Sequence, residues 1–169
     1  MNALEVYPRL SPAALAERWR ELLDQPGLPD RFELDEYGEL IEMNAPKIPH
    51  QRIVSAIQTQ IASALSGEAL PGIGVLTSIG VRIPDVVWRL DWGGVDPVSP
   101  APTICVEVVS PDNTRREIAD KTKAYVEAGA EEVIIVETTG RIRFFGPDGE
   151  RETSKFGLAL TLPPGTYPL

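Results

Sequence analysis

The chain has 169 residues and a mass of 18.5 kDa, which suits one domain, read over 1–169, with a real hydrophobic core. Acidic residues outnumber basic ones 25 to 16, and the formal charge of -9 excludes a globally basic nucleic-acid coat and a polybasic membrane binder. It leaves open an enzyme that needs cations only where a nucleic-acid backbone lies. The single cysteine, Cys105, excludes an intramolecular disulfide framework and a CxxC metal site, and in the run Thr103-Ile104-Cys105-Val106 it reads as a small buried apolar residue.

In chain order, Ser11-Pro12 places an N-cap before a proline at the first helical position. Leu15, Trp19, Leu22 and Leu23 follow at helical spacing until the turn Gln25-Pro26-Gly27-Leu28-Pro29. Glu5, Arg9, Glu17 and Arg18 break the first apolar stretch, so no secretory leader is read there. Arg31 to Met43 reads as a hairpin folded at Glu36-Tyr37-Gly38. A second helix is expected over His50 to Ser66, with Ile53, Ile57, Ile61 and Leu65 as its buried stripe. The longest charge-free run, Ile53 to Gly67, is too short and polar to cross a membrane, and the simplest location is the cytoplasm.

Ile73 to Ile83 reads as one strand, Val86-Val87-Trp88 as another beyond Pro84-Asp85, and Asp91 to Pro102 as a surface loop. Thr103 to Val109 is the most buried-looking strand, with Ile104, Val106 and Val108 on one face. Thr114-Arg115-Arg116-Glu117 is a capping box opening a third helix that runs to Ala128 and ends at Gly129. Val133 to Val136 and Ile142 to Phe145 are strands joined at Thr139-Gly140, and Ala159 to Leu162 reads as one more. The order from His50 is α-β-β-β-α-β. It predicts an α/β (α+β) fold in which one mixed sheet carries helices on both faces.

Glu107 stands in the middle of an apolar strand, where a carboxylate is costly unless paired or bound to a metal. The inward stripe Ile118, Thr122, Tyr125 and Val126 puts Lys121 beside Tyr125 at its edge. The chain climbs about 10 Å from Glu107 to Ser110 at roughly 3.3 Å per residue. It descends about 10 Å from Thr114 to Lys121 at roughly 1.5 Å per residue. An antiparallel helix and strand would therefore bring ammonium and carboxylate to one level, as a functional pair or as a plain structural salt bridge. Asp85, alone an ordinary turn residue, would beside Glu107 supply the second hard oxygen that Mg²⁺ favours. Two carboxylates on a metal with a lysine nearby suit phosphodiester hydrolysis.

The ordered set Arg31-Phe32-Glu33-Leu34, Gly38 to Met43, His50, Pro84-Asp85-Val86, Val106 to Pro111, and Lys121 with Tyr125 and Gly129 resembles the Uma-type restriction-endonuclease family, or domain of unknown function 820. The resemblance spans roughly Leu10 to Phe145. It implies a PD-(D/E)XK nuclease-like core over about 30–145, preceded by a helix and hairpin. It further implies an endonuclease using Mg²⁺ or Mn²⁺ on DNA, double-stranded, with the homodimeric state common in this fold. Asp85 and Glu107 would be the catalytic, metal-binding carboxylates. The superfamily lysine usually follows the acidic residue by two positions, which here is Val109, so Lys121 from the next helix takes that role. His50, Glu33 and Tyr125 would be accessory groups near the site.

This chain departs from the superfamily pattern in its first core helix, which has no acidic residue, so Glu33, Glu42 or His50 would have to substitute. The only histidine, His50, excludes a His-rich zinc site, and no nucleophile elbow or P-loop is present. Arg115, Arg116 and Lys123 around Lys121 form one candidate nucleic-acid rim, and Arg141 with Arg143 another. Interleaved Glu117, Asp120 and Glu127 equally fit solvated helix charge. The rival readings are a catalytically inactive nuclease-fold module that binds nucleic acid or a protein, and a metal-dependent phosphoester hydrolase acting on a small substrate.

Overall fold

In a computed structural model, which describes residues 7–169, Ser11 caps α1 (Pro12–Leu23) by accepting the Ala14 amide at 3.2 Å. Leu15, Trp19 and Leu22 are its buried face. Glu5, one of the charges that argue against a leader, lies outside the described residues. The hairpin β1 (Phe32–Leu34) and β2 (Leu40–Glu42) closes as expected, with the Asp35 carboxylate accepting the Tyr37 and Glu39 amides at 2.9 Å. The second helix, α2 (Ile48–Ala64), begins ahead of His50, because Lys47 adopts the extended N-cap conformation and Pro49 is accommodated in the first turn.

Next come β3 (Glu68–Leu70), β4 (Val75–Thr77), β5 (Gly80–Arg82), β6 (Val86–Arg89) and β7 (Ile104–Val108). The capping box is complete at the start of α3 (Arg115–Glu127): Glu117 accepts the Thr114 amide at 2.6 Å and Thr114 accepts the Glu117 amide at 3.1 Å. The strands β8 (Glu132–Val136), β9 (Ile142–Gly146) and β10 (Gly149–Arg151) follow.

The expected mixed sheet is present as a six-stranded sheet of order β10-β9-β8-β7-β6-β3, in which only β7 and β8 are parallel. It bears helices on both faces. Ile53, Ile57 and Ile61 of α2 pack with Val86, Ile104, Val106 and Ile134, whereas Tyr125 of α3 packs with Val87, Cys105, Val133 and Ile135. The alternation of β7 thus sends Cys105 toward α3, and Glu107 with it.

The reading of Ile73 to Ile83 as one strand is corrected. The Thr77 hydroxyl accepts the Ile79 amide at 3.3 Å and donates to the Gly80 carbonyl at 2.8 Å, folding the run into the β4–β5 hairpin. Gly80 has φ +114°, and a Cβ there would sit 2.0 Å from the Leu34 carbonyl oxygen, so only glycine lets β5 lie against β1. The result is a second sheet, four-stranded and antiparallel in order β2-β1-β5-β4, around Trp19, Leu22, Phe32, Leu34 and Val81.

Ala159 to Leu162 is not a strand. There the Gln60 side chain replaces a neighbouring strand, accepting the Thr161 amide and donating to its carbonyl, both at 2.8 Å. Cys105 is fully buried, as expected. Among the described residues no helix is long and apolar enough to cross a membrane.

Candidate active site

Glu107 is 6% exposed, so its demand for partners is strict. Tyr125 donates its hydroxyl to Glu107 Oε1 at 2.6 Å, and Lys121 Nζ lies 3.3 Å from the same oxygen. These two side chains are one helical turn apart on α3 and share a face. Lys121 is itself divided, because it also donates to Glu33 Oε1 at 2.9 Å. Glu33 comes from β1 in the other sheet and is 4% exposed. Its remaining valences are filled by Arg82 Nη1 at 3.0 Å and the Ile83 amide at 2.9 Å. Glu33, Lys121 and Glu107 therefore join the two sheets through one buried ionic chain.

Asp85 stands just ahead of β6, where its amide donates to the Val106 carbonyl at 2.9 Å and its Oδ2 accepts the Val108 amide at 2.7 Å. His50, in the first turn of α2, reaches the same place: Nε2 is 3.1 Å from the Val108 carbonyl oxygen and 3.5 Å from Asp85 Oδ2. Both neighbours are acceptors, so Nε2 carries the proton, while Nδ1 is buried without a partner.

Burial pushes the Glu107 carboxyl up to about 7; Lys121 opposes this, Asp85 and Glu33 add to it, and the Tyr125 hydroxyl pulls against it. For Lys121, burial alone would favour the neutral amine, but Glu107 and Glu33 outweigh it and raise the group above its ordinary value. Burial likewise acts upward on Glu33, yet Lys121, the Ile83 amide and Arg82 together hold it below the usual carboxylate range. His50 is raised by its hydrogen bond to Asp85, against burial and against the charge of Arg31.

Glu33, His50, Asp85, Glu107 and Lys121 all line a cleft of about 690 Å³, with Tyr125 behind Glu107. Arg115, Arg116 and Lys123 do not line it; Arg116 pairs with Asp120 at 3.7 Å and Lys123 with Glu127 at 3.6 Å on the surface of α3. Arg143 is held by Glu150 at 2.7 Å and Glu137 at 3.1 Å, and Arg141 lies 3.8 Å from Glu150. The cleft cations that sequence reasoning missed are Arg31, Lys47 and Arg82. Arg82 carried the same signal as Glu107, a charge within an apolar run, Val81-Arg82-Ile83. Of the three candidates for the missing helix acid, Glu33 is the buried one that bonds Lys121, whereas Glu42 is exposed at the cleft and His50 serves Val108 and Asp85.

Among the described residues Glu107 Oε2 and Asp85 Oδ1 accept no hydrogen bond, and both side chains line the cleft. Two hard oxygens of this kind fit an open divalent-cation site that draws its other ligands from water and a phosphate. Among the described residues no group of three or more Asp, Glu, His or Cys side chains is arranged to hold a metal ion, so the protein itself offers these two carboxylates.

A crystal structure of a "putative nuclease belonging to DUF820" from Anabaena variabilis has the same fold, with a TM-score of 0.65 at 19% identity over 85% of this chain and 92% of that one. No curated protein matches the sequence. The family model Uma2, described as "Putative restriction endonuclease", matches residues 19–166, nearly the whole chain. Restriction-endonuclease-like proteins generally use divalent metal ions, in keeping with the two open carboxylates. By that match, the chain belongs to the Uma2 family of restriction-endonuclease-like proteins.

Proposed function

We propose that the protein is a Mg²⁺- or Mn²⁺-dependent endonuclease that hydrolyses phosphodiester bonds of DNA, with Asp85 and Glu107 holding the ion and Lys121 completing the site. The observation that carries this reading is the shared lysine: Lys121 lies 2.9 Å from Glu33 and 3.3 Å from Glu107 at the floor of an open cleft, beside a second carboxylate with a free oxygen. Family membership supports a nucleic-acid substrate. When bound, the ion would lower the pKa of a water and neutralise phosphate charge.

The protein's own groups have separate tasks. Lys121, raised by its two carboxylates, is an ammonium at neutral pH, so it acts as a donor that orients water or meets developing phosphate charge, not as a base. Tyr125 fixes one Glu107 oxygen and leaves the other toward the cleft. The Val108 amide and His50 hold Asp85 in the same way. Glu33, clamped by Arg82, sets the position of Lys121. Cutting both strands of a duplex takes two such sites, which a homodimer would supply.

The test is plasmid nicking in Mg²⁺ or Mn²⁺ by the wild type and by Glu107→Ala and Lys121→Ala proteins purified identically. Metal-dependent nicking lost in both variants is the expected result. Equal nicking by all three would reveal a contaminant. No nicking together with no metal binding by calorimetry would refute the reading and leave a non-catalytic module.

A further inference from the structure

The chain is acidic overall, yet from Met43 to Gly67 it contains no Asp or Glu at all. That stretch is the β2–α2 loop, α2 and the turn after it. The solvent face of α2 presents Lys47, Gln51, Arg52, Ser55 and Thr59, all exposed. Among the described residues Lys47 and Arg52 make no ion pair, and neither does Arg31, whose guanidinium reaches the Asn44 carbonyl at 3.4 Å; Arg20, Arg89 and Arg115 are also without a carboxylate, but they stand on segments that carry acidic neighbours. By contrast Arg9, Arg18, Arg116, Lys123, Arg143 and Arg151 are each matched to a carboxylate.

A shallow groove of about 660 Å³ runs along this face, with Gln51, Arg52, Ser55 and Thr59 on its wall. Pro46 borders both the groove and the active cleft, and Lys47 and Arg31 line the cleft itself, so the two depressions form one track. Arg31 lines the cleft together with Lys47 and His50, which sets it at the inner end of that track. The hairpin beside Arg31 contributes Glu36 and Glu42 to the cleft, and Asp112, Glu117 and Asp120 face it from the β7–α3 loop and α3, so a polyanion approaching over either would be repelled and the α2 side is the one without carboxylates.

We propose that the phosphate backbone of the nucleic-acid substrate docks along the outer face of α2, with Lys47 and Arg52 contacting phosphates and Arg31 receiving the strand where the groove opens into the cleft. The occupant is set by charge complementarity: this is the stretch of an acidic chain from which carboxylates are missing and on which cations stand unmatched. The inference rests on the nuclease reading of the site and adds the side from which substrate enters.

The experiment measures binding of a fluorescent duplex oligonucleotide by anisotropy over a NaCl series, with Ca²⁺ in place of Mg²⁺ to allow binding without turnover. Each lost phosphate contact lowers the slope of log K against log salt by about 0.9. The Lys47→Ala/Arg52→Ala protein should therefore bind several-fold more weakly at low salt, with a slope smaller by roughly 1.8. The Arg115→Ala/Arg116→Ala protein should keep the wild-type slope. Both pairs are exposed, so unchanged thermal midpoints would show that folding is intact. The reverse pattern, with the slope lost on α3 and kept on α2, would overturn the docking face. If the wild type nicks plasmid in a Glu107-dependent way while the Lys47/Arg52 protein binds with an unchanged slope, the docking inference fails alone. If the wild type neither nicks nor binds, the nuclease reading fails with it.

Discussion

Replacing Glu107 by Gln should change how stability depends on pH, in a direction and size that the site's geometry sets. Glu107 is 6% exposed and its carboxyl is pushed from 4.5 to about 7, by burial first, with Lys121 opposing and Asp85 and Glu33 adding. An acid whose folded pKa is raised holds its proton more tightly in the native state. Below about pH 4.5 both states are protonated and the group contributes nothing. Between 4.5 and 7 the unfolded chain ionises first, so wild-type stability falls as pH rises, levelling off above 7. At about 1.4 kcal/mol per tenfold, the total loss is about 3 kcal/mol. Gln keeps the shape and can still accept the Tyr125 hydroxyl, but it does not titrate. His50, raised by its bond to Asp85 against burial, also loses stability as pH rises through its folded pKa, in both proteins alike. Urea unfolding followed by tryptophan fluorescence at pH 5 and pH 8 should thus show Glu107→Gln gaining about 2 to 3 kcal/mol on the wild type between the two. A constant offset would refute the placement of an ionisable, burial-raised carboxyl here. At pH 8, Mg²⁺ at about 100 times its Kd should return about 2.7 kcal/mol to the wild type and nothing to the variant.

Two further predictions concern the framework. Glu132 is fully buried and accepts the Ser154 hydroxyl at 2.6 Å and the Lys155 amide at 2.5 Å, which ties the chain beyond β10 to β8. Glu132→Ala should cost about 3 kcal/mol in chemical denaturation and open that tail to limited proteolysis near Lys155 while the helices resist. Gly80→Ala should cost more than about 3 kcal/mol or prevent folding, since the new Cβ would lie 2.0 Å from a backbone carbonyl at φ +114°. Gly165→Ala, at φ +73° with nothing nearby, should cost only about 1 kcal/mol when the two variants are compared by thermal melts.

Features set by neighbouring residues were legible in the sequence. The Ser11 cap and the Thr114–Glu117 box are contained in a few residues, and both form. The Glu107–Lys121 pair was within reach because strand rise and helix rise fix relative height once β7 and α3 are neighbours. The β4–β5 hairpin was not, because Val, Ile and Thr continue through it and the turn depends on the Thr77 hydroxyl and on the close approach of Gly80 to β1. That omission hid the second sheet, and with it the partners of Arg82. Ala159 to Leu162 has strand chemistry, but the available hydrogen-bond partner is a glutamine side chain on α2, which no periodicity reveals.

The second sheet explains why Lys121 can serve the site without extinguishing it. Glu33, Asp85 and Glu107 bring three carboxylates against Arg82 and Lys121. If Lys121 faced Glu107 alone, the two would form a self-contained ion pair, with little charge left to attract a cation. Glu33, carried in by β1 and oriented by Arg82 and the Ile83 amide, draws the ammonium to 2.9 Å and leaves it at 3.3 Å from Glu107. The uncompensated negative charge then falls on the Asp85–Glu107 side of the cleft, where two oxygens have no hydrogen-bond partner among the described residues. Burial makes that charge costly in the absence of a cation, which is the condition under which binding a divalent ion is most favourable. Under the proposed metal-bound reading, the acid missing from α2 is in this sense supplied by the hairpin, and Glu33 would govern the charge balance of the site without having to touch the ion.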